Sequence, residues 1–256
     1  MTKASLVLPS LVFVIVSAAP MPGGAMRPRD GKPPADRRNF VACPIVRDTK
    51  SVPCWLAEYE GELYYLGQQG NLDSEFYPPQ LSHQALVEGT VADGPRVCGG
   101  VPLTPVAVSA LPEIDRACNT LLPAEDKYEA PKPPPPPSRA PTSDETRVFT
   151  VTFDFDSDFL TRRAAGGLSE AARIAKDHKA ARVEVAGFRA TTLLSNGRSL
   201  VEKAPIAESR ARKVAEVLTG LGLPPADVLI TSKNEPEPGD GVHDPQNRRV
   251  TITLRP

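Results

Sequence analysis

Phe149-Thr150-Val151-Thr152-Phe153-Asp154-Phe155 alternates apolar and polar residues at every step, the period of a strand buried on one face. Leu168, Ala171, Ala172 and Ala175 then fall at i, i+3, i+4 and i+7 and predict an amphipathic helix, entered irregularly at Gly166-Gly167. Val183 and Val185 mark a second strand ending at Gly187. Residues 191–203 read as a polar loop. A second helix follows, with Ala207, Ala211, Val214, Leu218 and Leu221 on one face, and it stops at Gly222-Leu223-Pro224-Pro225. A short strand over 228–231 and a last one with Val250, Ile252 and Leu254 inward complete a β-α-β-α-β module over 147–256. The fold class is α+β, with helices on one face of a sheet.

Toward the N-terminus, Pro133 to Pro137 run without interruption inside a Pro-rich stretch, 124–146. Such a run enters neither helix nor sheet and forms a stiff polyproline II spacer. At about 3.1 Å per residue over 124–144 it reaches roughly 65 Å, which predicts two modules held well apart.

Residues 40–123 read as a separate, small all-β domain. Runs at 55–59 and 63–66 flank Glu60-Gly61 and predict a hairpin. Further β-rich runs at 85–91, 96–101 and 106–111 are broken by Asp93-Gly94-Pro95, by Gly99-Gly100 and by prolines. This spacing suits a barrel or sandwich, with an OB-like barrel as one candidate. Trp55, Tyr59, Tyr64 and Tyr65 read as packing residues or as a ligand face. Cys43, Cys54, Cys98 and Cys118 all lie in this half, at separations that fit no zinc-ribbon or thioredoxin spacing, and predict disulfides that staple a modest core. Three pairings are open. Closure of short loops favours Cys43 with Cys54 and Cys98 with Cys118.

Lys3 and the apolar run over 6–19 read as a secretory signal spanning 1–25, cleaved after Ala18, Ala19 or Ala25. The run falls short of the roughly 20 residues that a membrane-spanning helix needs. Cys43 lies too far beyond it to be a lipid-bearing first residue. Residues 26–39 are polar and predict a disordered lead-in.

A net charge of −1 and 5% aromatic residues supply neither the basic field nor the stacking platforms of a nucleic-acid binder. His83, His178 and His243 are scattered, and no Ser/His/Asp, metal or phosphate-loop signature accompanies them. The chain is therefore expected to be no enzyme, with no cofactor and no metal.

Phe153-Asp154-Phe155-Asp156-Ser157, Val185-Ala186-Gly187-Phe188, Ile206-Ala207-Glu208-Ser209-Arg210-Ala211 and Asn247-Arg248-Arg249-Val250 resemble, in order, the motifs of OmpA-like, peptidoglycan-associated domains. The likeness covers 148–254 and does not touch the cysteine-bearing half. It implies non-covalent binding of the diaminopimelate of a peptidoglycan stem peptide, an arginine gripping a carboxylate and an aspartate meeting the ammonium group. On this resemblance the peptidoglycan-binding residues are Arg210, Arg248, Gly187 and Phe188. Ala190 stands where the family has the acid, and the stretch 190–210 is several residues longer than usual. Glu202 or Glu208 either replaces that acid or is a solvated glutamate. Of Arg248 and Arg249, one either reaches the pocket or braces a buried acid such as Asp154 or Asp156.

The expected function is that of an exported envelope protein, periplasmic and associated with the cell wall or outer membrane. Its C-terminal module would hold peptidoglycan with an affinity weakened by the missing acid. The alternative is an adaptor for an envelope protein partner, in which the fold no longer binds peptidoglycan.

Overall fold

The computed structural model describes residues 31–50, 52–68, 76–124 and 147–255. The signal stretch, the start of the lead-in and the Pro-rich linker beyond Ala124 lie outside the described residues.

Seven strands, β1 (Arg37–Ala42), β2 (Pro44–Arg47), β3 (Cys54–Tyr59), β4 (Glu62–Gln68), β5 (His83–Val91), β6 (Val101–Ile114) and β7 (Thr120–Leu122), form one sheet in the order β1-β5-β6-β4-β3-β2-β7. The expected hairpin is β3–β4, turned by Glu60 and Gly61 at φ 53° and 76°, the left-handed pair that matches the twist of antiparallel strands. β1 starts at Arg37 and pairs along β5, so strand structure reaches three residues into the stretch read as disordered lead-in.

Of the run 96–101 only Val101, the first residue of β6, is in a strand. A Val97–Gly100 bridge closes the run into a turn, and β6 passes through two prolines that were read as breaks. Pro102 contributes only its carbonyl, to the Ala92 N–H. Pro105 falls in the register break of the β5–β6 ladder, where a residue without an N–H forfeits nothing.

The disulfides are Cys43–Cys118 and Cys54–Cys98, so the pairing expected from short loops is wrong. Strand register overrides loop length here. Antiparallel β2–β3 pairing sets Arg47 opposite Cys54 and Pro44 opposite Ala57, which leaves Cys43 at the other end of the ladder from Cys54. Parallel β2–β7 pairing sets Ile45 beside Thr120, and two residues back that register brings Cys43 to Cys118.

The C-terminal half contains β8 (Arg147–Thr152), α1 (Arg162–Asp177), β9 (Arg182–Leu193), β10 (Ser199–Val201), α2 (Ile206–Gly220), β11 (Val228–Glu237), α3 (Asp244–Asn247) and β12 (Arg249–Arg255). β9 lies between β11 and β12, β8 flanks β12, and β10 folds back on the end of β9. Val183, Val185, Val250, Ile252 and Leu254 on the sheet share one core with Leu168, Ala171 and Ala175 of α1 and Ala211, Val214 and Leu218 of α2, so both predicted stripes face the sheet.

Several details differ from expectation: β8 ends at Thr152, so Phe153 and Phe155 are buried from the loop beyond it, and β11 runs on to Glu237 instead of stopping at 231. Gly166 and Gly167 lie inside α1, whose start is set by Thr161, its hydroxyl accepting from the Ala164 N–H. The expected polar loop over 191–203 is largely the end of β9 and the β10 hairpin, because Thr192 and Leu193 are buried like the residues before them. The short helix α3 had no apolar period to announce it.

Gly187 on β9 is required by packing. A Cβ there would sit 1.9 Å from the Ala207 carbonyl oxygen in the first turn of α2. Gly187→Ala is expected to lower stability by about 3 kcal/mol, the upper end of overpacking costs, because the obstacle is backbone. Urea unfolding of the two forms measures it.

The halves are docked on each other, contrary to the separation expected from the linker. Leu86 of β5 shares a buried cluster with Phe155 and Leu194. Around it the contacts are polar. Asn39 of β1 donates from Nδ2 to the carbonyls of Leu193 (3.0 Å) and Gly241 (2.8 Å), its N–H donates to Ser195 Oγ, and its carbonyl accepts from the Ser195 N–H. Arg37 Nε donates to the Gly241 carbonyl at 3.0 Å, and Ser109 Oγ on β6 accepts from the Phe155 N–H at 2.9 Å.

Candidate functional site

Arg210 lies on the first turns of α2, in line with Ala207, Ala211 and Val214, and is fully buried. A guanidinium has five N–H donors, and here each has a partner. Nε donates to the Ser157 carbonyl (2.8 Å), Nη1 to the Phe188 carbonyl (3.1 Å) and Glu202 Oε2 (3.0 Å), and Nη2 to the Asp154 carbonyl (2.8 Å) and Glu202 Oε1 (2.5 Å). The Glu202 carboxylate is filled in the same way. Besides the arginine, Oε1 accepts from the Asp156 N–H and Oε2 from the Ala190 N–H, both at 2.9 Å. This two-pronged, charge-assisted clamp is the strong geometry for an arginine and a carboxylate.

Glu202 reaches this place because residues 191–201 form the β9–β10 hairpin, whose last strand ends one residue before it. Asp156 helps to hold it. At φ 51° its backbone N–H points at Glu202, while its own Oδ1 accepts from the Lys203 N–H at 2.7 Å.

Arg248 is clamped by the other half of the chain. Its Nη1 and Nη2 donate to Glu88 Oε1 and Oε2 at 3.1 and 2.6 Å, and Nη1 also donates to Thr192 Oγ1 at 3.0 Å. Glu88 belongs to β5, and both partners are buried. Neither Asp154 nor Asp156 is the brace for Arg248. Arg249 instead pairs with Glu237 at 2.7 and 2.8 Å and lies 4.5 Å over the Phe188 ring. Burial pushes the Asp154 carboxyl above its usual range, against the pull of Arg248 and Arg210.

Of the residues assigned by resemblance, Gly187, Phe188 and Arg210 come together, because the Phe188 carbonyl accepts from Arg210. Arg248 approaches the same 153–158 segment from the β-domain side, with its Nε near the Phe153 carbonyl. Ala190 is buried, and its backbone rather than its side chain takes part. Glu208 is exposed and pairs with Arg212 one turn on. Two surface cavities, one of about 530 Å³ between α2 and β11 and one of about 330 Å³ beside Arg37 and Ser195, are not lined by Arg210. Among the described residues, the grouping of metal-ligating types is Cys43, Asp115 and Cys118, and its two sulfurs are joined in a disulfide.

Glu88 was missed by sequence reasoning. The signal for it was a carboxylate inside the apolar run Leu86-Val87-Glu88. Asp244 on α3 was missed too. It accepts from the backbone N–H groups of Leu193 (2.7 Å), Asp240 (2.7 Å) and Gly241, and thereby holds the loop whose Gly241 carbonyl receives Arg37 and Asn39.

Burial pushes the Asp244 carboxyl up to about 6, against the opposing effect of those N–H groups. A carboxyl raised above its unfolded value contributes stability that is fully present below about pH 4 and is lost as pH rises through about 6. Asp154 and Asp156, also raised by burial, act with the same sign. Between pH 4 and 6 the stability of the wild type is expected to fall relative to that of Asp244→Asn as pH rises, the lowered carboxyls of Glu62, Glu113 and Glu184 being common to both forms. Urea midpoints across that window test this.

Residues 152–251 match the model of the OmpA family, and the C-terminal module is an OmpA-like domain. The chain is 32% identical over 120 residues to an outer membrane protein of Gluconacetobacter diazotrophicus; the match takes in 45% of this chain but only 31% of that relative's length. Solved structures similar to it include the OmpA-like domain of FopA1 from Francisella tularensis, at 20% identity over 44% of this chain and 76% of that one, with a TM-score of 0.36. The C-terminal domain of Helicobacter pylori MotB is 24% identical over 41% of this chain and 81% of its own, TM-score 0.35. The peptidoglycan-associated lipoprotein of Burkholderia pseudomallei is 22% identical over 41% and 89%, TM-score 0.34. Among the described residues no helix is long and apolar enough to cross a membrane.

Proposed function

We propose that this chain is an exported, non-catalytic protein of the cell envelope, working in the periplasm beside the wall or outer membrane, and that it is an adaptor. In this reading the OmpA-like module carries the disulfide-bonded β domain as a fixed surface for an envelope protein partner and leaves the diaminopimelate stem peptide unbound. The observation that carries the reading is the saturation of Arg210. All five of its donors and all four acceptor positions of Glu202 are used within the chain, so a ligand carboxylate meets no free donor on this arginine. The methyl side chain of Ala190 offers nothing to an ammonium group.

The family match favours a second reading, in which the module still meets the wall through a pocket of Arg210, Arg248, Gly187 and Phe188. Co-sedimentation of the full-length mature chain with purified sacculi separates the two. The adaptor reading expects the chain to stay in the supernatant, or to be retained in a way that free meso-diaminopimelate leaves unchanged. Saturable retention that diaminopimelate competes away would establish the second.

A further inference from the structure

We propose that Glu202 is an internal ligand, filling a carboxylate site that the rest of the fold builds without it, so that carboxylate recognition by this module is masked rather than dismantled. The inference rests on the reading above that Arg210 is satisfied within the chain. It goes further in assigning a pre-formed site and its ligand class.

An ordinary buried ion pair collapses when one member is removed, because each side chain positions the other. Here the arginine is positioned by something else. Three of its five bonds go to backbone carbonyls of Asp154, Ser157 and Phe188, and its guanidinium lies 5.2 Å over the Phe153 ring. The two remaining donors, on Nη1 and Nη2, project in parallel from that fixed plane. Two backbone N–H groups converge on the same spot. That of Ala190 belongs to β9, in register with Glu237 of β11, and that of Asp156 is aimed by a left-handed backbone conformation. Four N–H donors on three separate segments thus surround the volume of one carboxylate, and four is the number of acceptor positions that a carboxylate offers.

Glu202 arrives in this cradle at the end of a hairpin that pairs Ser199–Val201 with Thr191–Leu193, its own N–H donating to the Ala190 carbonyl at 3.1 Å. Shortening it to alanine removes the occupant and leaves the donors, with the space of a short aliphatic carboxylate behind them. Acetate and propionate are the smallest members of the class. The wider class is any aliphatic or peptide carboxylate free to enter end-on, as a bidentate partner of the arginine.

The test is thermal unfolding of the full mature chain carrying Glu202→Ala, in sodium acetate or propionate against sodium chloride at equal ionic strength. The expected result is a lowered melting temperature that 100 mM acetate raises by about 4 °C over chloride, with no such response in the wild type. Glu202→Gln keeps the site filled with an amide of the same shape and is expected not to respond. Should Glu202→Ala be unfolded at 25 °C, its folded fraction by circular dichroism is expected to rise with acetate and not with chloride. Equal behaviour in acetate and chloride, or an equal acetate response in the wild type or in Glu202→Gln, would overturn the proposal. Sacculus retention by the wild type bears on the adaptor reading alone, so the two failures are distinguishable.

Discussion

Replacing Glu88 with alanine is expected to cost about 3–5 kcal/mol and to part the two halves of the chain. The substitution leaves Arg248 almost wholly buried with both bonds to the Glu88 carboxylate gone and hydrogen bonds only to Thr192 Oγ1 and the Phe153 carbonyl. A buried guanidinium without a counter-charge is far less stable than either a paired one or an apolar side chain. Because Glu88 and Arg248 belong to different modules, the least costly relief is for Arg248 to regain water by undocking. That would also expose Leu86, Phe155 and Leu194. Chemical denaturation reads the loss of stability, and small-angle scattering reads a larger radius of gyration. A double variant, Glu88→Met with Arg248→Met, is expected to be much closer to wild type than either single variant. Additive losses would remove the pair from the account of docking.

Arg210→Ala carries a comparable expected loss of about 3–5 kcal/mol, confined to the OmpA-like domain. It strands the Glu202 carboxylate with two backbone N–H groups and no cation, and frees three buried carbonyls, those of Asp154, Ser157 and Phe188. Arg210→Lys is expected to recover only part of the loss, because an ammonium cannot reproduce the two-pronged bond to Glu202 and three carbonyl bonds at once. Urea unfolding of the three forms checks both statements.

The periodic parts of the chain were legible. Leu168, Ala171 and Ala175, and Ala211, Val214 and Leu218, bury the stripes their spacing announces, and Glu60-Gly61 turns the hairpin it was read to turn. The OmpA-like module was legible too, because its motifs fall in order on elements of the right type. What escaped were the long-range pairings. Nothing local to Glu88 names Arg248 as its partner 160 positions away. Glu202 sits among Val201, Lys203 and Ala204 like any loop acid, and only the β9–β10 hairpin brings it back to Arg210. Loop-closure entropy misled the disulfide pairing because strand register, itself a long-range property, decides which sulfurs meet. The polyproline spacer has the reach to separate the modules, but reach does not oppose docking when a buried cluster and paired charges favour it.

In the native chain Arg210 has no donor left to offer a ligand. The direct measurement is a titration of the uniformly ¹⁵N-labelled wild type with a diaminopimelate-containing stem peptide, following the Arg210 Nε–H resonance. The expected result is a slowly exchanging signal, hydrogen-bonded to the Ser157 carbonyl, that does not move as peptide is added. A saturable shift of that signal in the wild type would contradict the account and restore Arg210 as the receptor for the stem peptide.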